Sequence, residues 1–264
     1  KKSESVRSEW KEKIAEEVEG VPVPKGFTYK EGTKDTGLVI KDDNGNEFVW
    51  VPATESTYRK DTSFPGVTPT RDDTLPNGIK DETADVVKYG GFYIGRYEAG
   101  IPEGDTSPSN KIGIPVSKKD ATVWTNINYT NAKASAENMI SNEYVQTGLL
   151  TGKAWDTVCH WIKSDDELKD SRTYGNYINS LAPANENSGT KRTAGFNENW
   201  KVKNIYDLAG NVWEWTSEAY SSISISRGGS YDYGGSDFPV SCRDRDSASG
   251  ANGVTGFRLR LYIK

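Results

Sequence analysis

His160 is the single histidine among 264 residues, so a histidine-rich metal site is excluded and any imidazole-dependent catalysis would rest on that one ring. Two cysteines, Cys159 and Cys242, do not make a disulfide framework. Cys159 lies in a tryptophan-rich helical stretch and reads as a small buried hydrophobe, whereas Cys242 reads as exposed. No Ser, His and Asp form a nucleophile-activating motif, and no glycine-rich loop has phosphate-cradling spacing. The side chains that stand out are suited to binding. Between RGGS at 227–230 and GFR at 256–258, residues 231–256 contain no Lys, Glu, Gln, Met or Trp. Those types make up 51 of the 264 residues, so about five would be expected in such a window. What remains is Tyr, Asp, Gly, Ser, Phe, Pro, Val, Cys, Arg, Ala, Asn and Thr, of which Tyr, Ser, Gly and Asn are favoured by adaptable binding loops, with Arg as a hot-spot residue. The pattern is that of fixed ends around replaceable contact residues.

Short strands and a few helices must hold that segment. The length allows one large domain or two small ones with a sizeable core. Hydrophobic content is only 34%, but eight Trp, fourteen Tyr and seven Phe supply large apolar surfaces. Residues 1–19 read as a charged helix with Val6, Trp10, Ile14 and Val18 on one stripe, ended by Gly20. Pro22 and Pro24 then impose an extended linker, so that 1–24 precede a domain spanning 25–264. Strands are predicted at 38–41 and 47–51 around an Asn44-Gly45 turn, and at 91–99. Residues 53–90 read as irregular, and 165–203 as a long loop of the kind that is functional or poorly ordered. Helical composition marks 129–139 and 152–163, the latter with Thr151 as N-cap. Two or three helices among short strands and much irregular loop indicate an α+β domain. Trp50, Trp124, Trp155 and Trp161 are expected in the core, and His160 is expected packed or half-exposed. A net charge of −5 argues against general nucleic-acid affinity, and no apolar run is long enough for a membrane helix. The chain opens at Lys1 without Met, as a processed or trimmed piece would.

Six blocks, NEFVWVP at 46–52, GFYIGRYE at 91–98, LTGKAWD at 150–156, IYDLAGNVWEWT at 205–216, RGGSY at 227–231 and GFRL at 256–259, occur in the order seen in the formylglycine-generating-enzyme family. The resemblance covers residues 25–262 and implies a C-type-lectin-like fold. The oxidases of that family bind copper through two cysteines after the RGGS-like motif; those positions fall on Tyr233 and Phe238 here, which cannot replace thiolates. The sulfoxide-forming relatives need three histidines. The chain resembles best the variable proteins of diversity-generating retroelements, whose C-terminal segment is rewritten at adenines of a template rich in AAC or AAT codons. Changing only those adenines keeps a pyrimidine in the third position. Lys, Glu, Gln, Met and Trp all need a purine there, and they are the types missing from 231–256.

The resemblance implies a protein that binds and does no chemistry, with no required cofactor. The expected variable contacts are Asp232, Tyr233, Asp237, Phe238, Ser241, Cys242, Asp244, Arg245, Asp246, Ser249, Asn252, Gly253 and Val254, with Tyr233 and Phe238 as anchors. Ser236, Pro239 and Arg243 are expected to be framework, Arg227–Ser230 to start a strand, and Arg258 to tie a buried carboxylate or backbone. Asp207, Gly210, Val212 and Glu214 match residues that bind calcium in family members, although Asp207 and Glu214 could equally serve local hydrogen bonds. The partner expected is a protein or glycan on another cell or surface, not nucleic acid. Display is expected on a bacterial surface, or alternatively on a phage tail fibre. A fixed lectin-like module and a copper-dependent oxidase are the competing readings.

Overall fold

The computed structural model describes residues 4–183 and 188–264. A helix, α1 (Glu4–Lys13), leads into a hairpin of β1 (Ile14–Val18) and β2 (Val21–Pro24). The predicted helix over 1–19 is therefore too long. Ile14 and Val18, four apart, share one face of a strand as readily as one stripe of a helix, and the β-branched side chains take the strand. The pairing through 21–24 also makes the expected linker a strand: Val21 and Val23 are buried and Pro22 O accepts from the Tyr93 hydroxyl. Trp10 of the expected stripe is buried, while residues 1–3 and the side chain of Val6 lie outside the described set.

β3 (Phe27–Glu31), β4 (Val39–Asp42) and β5 (Glu47–Pro52) follow as a meander whose second turn contains Asn44-Gly45. The expected irregular stretch 53–90 ends in a helix, α2 (Glu82–Tyr89). Its Asp81 cap accepts from the Thr83 and Ala84 amides, and Gly90 closes it in the left-handed conformation. Then come β6 (Gly91–Gly95), α3 (Tyr129–Met139), β7 (Val145–Leu149) and α4 (Gly152–Ile162). Thr151 caps α4 by accepting from the Ala154 amide. The remaining strands are β8 (Lys201–Val202), β9 (Ile205–Tyr206), β10 (Trp213–Tyr220), β11 (Ile223–Arg227), β12 (Arg243–Asp246), β13 (Thr255–Phe257) and β14 (Leu259–Ile263).

A six-stranded sheet runs β3-β4-β5-β6-β14-β7, and a four-stranded sheet runs β12-β11-β10-β13. Apart from its exposed edge strand β3, the large sheet is largely buried on both faces. Phe48 and Trp50 of β5 face a core shared with Trp124, Trp215, Phe257 and the alanines of α3, while Val49 and Val51 face a second core with Trp155, Val158 and Cys159 of α4. Of the expected core tryptophans only Trp161 is partly exposed. The last strand, β14, lies between β6 and the edge strand β7 of the large sheet. The chain must therefore return to the core after every residue of 231–256 has been placed. Among the described residues, no helix is long and apolar enough to cross a membrane.

Candidate functional site

Residues 227–258 leave the four-stranded sheet at the end of β11, rejoin its edge as β12 and return to the core through β13. Arg227 ends a strand rather than starting one. Gly228 and Gly229 then turn the chain at φ of +97° and +76°; a Cβ would lie 2.8 Å from Leu208 O at the first and 2.4 Å from Phe238 O at the second. Only glycine fits this exit.

Three buried arginines fix the path. Arg227 donates from Nη2 to Asp156 Oδ1 (2.6 Å) and from Nη1 to Glu218 Oε1 (2.8 Å). Arg243 meets the other oxygen of each acid, pairing with Asp156 Oδ2 and with Glu218 Oε2 (2.9 Å). All four side chains are fully buried, and two cations and two anions close a neutral ring. Burial pushes the Glu218 carboxyl up, but the facing Arg227 and Arg243 outweigh it and hold it below the usual range. Arg227 also donates to the carbonyls of Ser241 and Cys242, and Arg243 to that of Asp61. At the far end Arg258 grips both Glu214 oxygens through Nε (3.1 and 3.0 Å) and Oε1 through Nη2 (2.7 Å), and donates to Tyr206 O and Gly95 O. Arg258 thus ties the carboxylate and backbone beneath the surface that the sequence required of it.

These clamps divide the segment. Residues 239–243 are buried, whereas 231–234, 236–238 and 244–254 reach solvent. Asp232, Tyr233, Asp237, Arg245 and Ser249 are exposed; Phe238, Asp244, Asp246, Asn252, Gly253 and Val254 are half-buried. Ser241 and Cys242 do not belong with them. The Ser241 hydroxyl donates to Leu168 O (2.6 Å), and burial pushes the Cys242 thiol up to about 11, so the expected exposed cysteine is a core residue. Pro239 and Arg243 are framework by burial, while Ser236 is exposed. Tyr233 and Phe238 come together edge to face at 4.7 Å, and both rings lie against Trp213. Arg245 stacks over Tyr220, and Asp246 accepts from Ser247 N and Asn252 Nδ2.

Apart from Trp155 of α4, the floor comes from 171–179, a part of the chain that carried no motif. Tyr177 is buried and donates its hydroxyl to Gly228 O (2.8 Å), and Trp155 Nε1 donates to Val240 O (2.9 Å). Ser171 donates its amide to Gly235 O and accepts at Oγ from Val240 N. The spacing of Tyr174 and Tyr177 inside an otherwise polar loop was the one available sign.

Neither metal of the family finds a fitting donor set. Both Glu214 oxygens serve Arg258, and Asp207 Oδ2 accepts from the Gly195 amide (2.7 Å), so a guanidinium supplies the positive charge that calcium would bring. Asp207 Oδ1 is buried without a hydrogen bond among the described residues, and burial pushes that carboxyl up to about 7, which favours the neutral acid. Among the described residues no three His, Cys, Asp or Glu converge as a metal set. Copper(I) needs a thiolate pair, and rings stand at 233 and 238. The two thiols present are pushed up, Cys159 to about 12, by burial. His160 bonds Asp61 (2.9 Å) and stacks on Phe64. Ser63 bonds the same Asp61, so the acid lies between imidazole and hydroxyl, the wrong order for activating a nucleophile.

The sulfatase-modifying factor enzyme 1-like domain family matches residues 41–262. Curated proteins give no match. Solved structures are similar at low identity. Treponema denticola variable protein 1 is 15% identical over 90% of this chain and 99% of its own, with a TM-score of 0.46. PvdO from Pseudomonas aeruginosa is 15% identical over 89% and 100%, with a TM-score of 0.49. CarF is 20% identical over 76% and 97%, with a TM-score of 0.43.

Proposed function

We propose that this chain, which belongs to the sulfatase-modifying factor enzyme 1-like domain family and has its α+β, C-type-lectin-like fold, is a binding protein that presents residues 231–234, 236–238 and 244–254 to a macromolecular ligand. The observation that carries this reading is the clamp. Arg227, Arg243 and Arg258 fix the backbone from below through buried carboxylates, and the solvent-facing side chains between them are free of that task. Substitution at those positions changes recognition and leaves folding intact. The 18 residues at 231–234, 236–238 and 244–254 that reach solvent come close to the roughly 20–30 per side of a standard interface of about 800 Å². The ring pair at the positions of the oxidase cysteines supports binding over oxygen chemistry. The missing codon class in 231–256 supports diversification by a retroelement, and display at an extracellular surface follows from that role.

Deep sequencing of this gene in a growing population of its source tests the proposal. Substitutions are expected within codons 231–234, 236–238 and 244–254, mapping to adenines of a nearby near-copy. A segment as invariant as its frame would overturn diversification and leave a fixed binding module.

A further inference from the structure

The turn at 171–181 lies outside the 231–256 segment yet is bonded to it along its length. Ile178 N donates to Tyr233 O (3.1 Å), Ser171 N to Gly235 O (3.0 Å) and Gly235 N to Asn179 Oδ1 (2.9 Å). From this turn Ile178 and Leu181 are 65% and 59% exposed, beside Tyr233 at 41%. Exposed hydrophobes scattered singly need no explanation, but contiguous ones mark interaction sites. Two exposed aliphatic residues three positions apart in one turn, the first bonded through its backbone to the exposed tyrosine, are placed to offer such a surface.

We propose that the ligand surface is bipartite: Ile178 and Leu181 are a fixed apolar ledge that receives an apolar side chain of a protein ligand, and the variable residues beside it choose among ligands carrying that anchor. The inference rests on the binding reading above. Charge identifies the occupant. Asp232 and Asp237 flank Tyr233, and both are exposed. The Asp237 carboxylate has no hydrogen bond or ion pair with a described residue, and that of Asp232 accepts only from Ser230 Oγ. The neighbouring Arg172 gives its side-chain hydrogen bonds to Asp170 and reaches Asp237 only through its charge. The surface therefore fits a protein loop whose aliphatic or aromatic anchor is flanked by Lys or Arg. A glycan would find few polar partners on two aliphatic side chains.

The test pans a displayed random-peptide library on the full chain and measures enriched peptides against three variants, with a glycan array in parallel. Enriched sequences carry an apolar residue flanked by Lys or Arg, and Ile178→Ser, Leu181→Ser and Tyr233→Ser each weaken them by about tenfold or more. Loss with Tyr233→Ser and none with Ile178→Ser and Leu181→Ser overturns the ledge and leaves the binding surface standing. Undiminished binding by all three variants overturns both. Glycan binding without enriched peptides, enrichment lacking the apolar-basic pattern, or no enrichment at all overturns the assigned occupant. Thermal melting confirms that each variant folds, as the exposure of all three positions leads one to expect.

Discussion

Arg243 closes the buried stretch 239–243 between two runs that reach solvent, and replacing it separates clamp from surface. In Arg243→Met, Asp156 and Glu218 retain only Arg227 as their shared cation, and Asp61 O loses a donor. Removing one partner of a buried ion pair costs about 3–5 kcal/mol, because it strands a charge in a site without water. At about 2.1 cal/mol/K per residue, the unfolding entropy of a chain this long is about 0.55 kcal/mol/K, so the melting temperature falls by about 5–9 °C. Asp237→Ala and Arg245→Ala, at exposed positions of the same segment, each cost within about 1 kcal/mol, or about 2 °C. Differential scanning calorimetry at neutral pH measures all three. An Arg243→Met protein that melts within about 2 °C of its parent refutes the clamp. Surface variants that fall as far as Arg243→Met would show that the exposed residues also hold the fold.

Gly229→Ala forces a Cβ to 2.4 Å from Phe238 O at φ of +76°, and is expected to lower stability by about 2 kcal/mol or more. Gly253→Ala meets nothing nearer than Asn126 Oδ1 at 3.9 Å and should be close to neutral; equal losses at both positions would contradict the account of the exit turn. Millimolar calcium or a chelator should move the melting temperature by less than about 1 °C, whereas a site filled at a hundred times its Kd would add about 2.7 kcal/mol, or about 5 °C. Asp207, pushed up to about 7 by burial against the Gly195 amide and Arg258, titrates above its unfolded value. Its stabilising proton is fully bound below the unfolded range and lost as pH rises through about 7, so the wild type should fall in melting temperature relative to Asp207→Asn between about pH 5 and 8. Parallel pH profiles would refute that assignment.

Local chemistry made much of the frame legible. The Asn44-Gly45 turn, the Thr151 cap and helix α3 depend on nearest neighbours, and each lies where the sequence predicts. The misses have local causes as well. A four-residue spacing of Trp10, Ile14 and Val18 fits helix and strand alike, and pairing with 21–24 decides between them. Helix α2 was hidden by its Thr and Val content, though Asp81 and Gly90 marked both its ends. The burial of Ser241 and Cys242 could not be read from a window whose composition looked uniform. Their depth is set by Arg227 reaching back to the carbonyls of both, and by carboxylates 71 and 9 positions away in sequence from that arginine. The floor under the segment, from Ser171 to Asn179, is likewise built of long-range hydrogen bonds that leave no periodic trace.

The burial of the segment also bears on how it could vary without unfolding. Between 227 and 258 the buried residues are Arg227, Gly228, Gly229, Ser230, Gly235, those at 239–243 and those at 255–258. All except Thr255 are amino acids that the genetic code can write without adenine. The others that cannot be so written, Tyr231, Asp232, Tyr233, Asp237, Asp244, Asp246 and Asn252, all reach the surface, which leaves Thr255 as the one exception in the segment. A process confined to adenines would pass over Arg243 written as CGC or CGT, and over the glycines and Pro239 beside it, while rewriting the aspartates and tyrosines around them. Random change would instead break the buried ring wherever it struck Arg227 or Arg243, at about 3–5 kcal/mol each time. The reading therefore requires more than variation somewhere in 231–256: sister copies must vary on both sides of 239–243 and keep those five codons, because the residues they encode hold the fold from beneath.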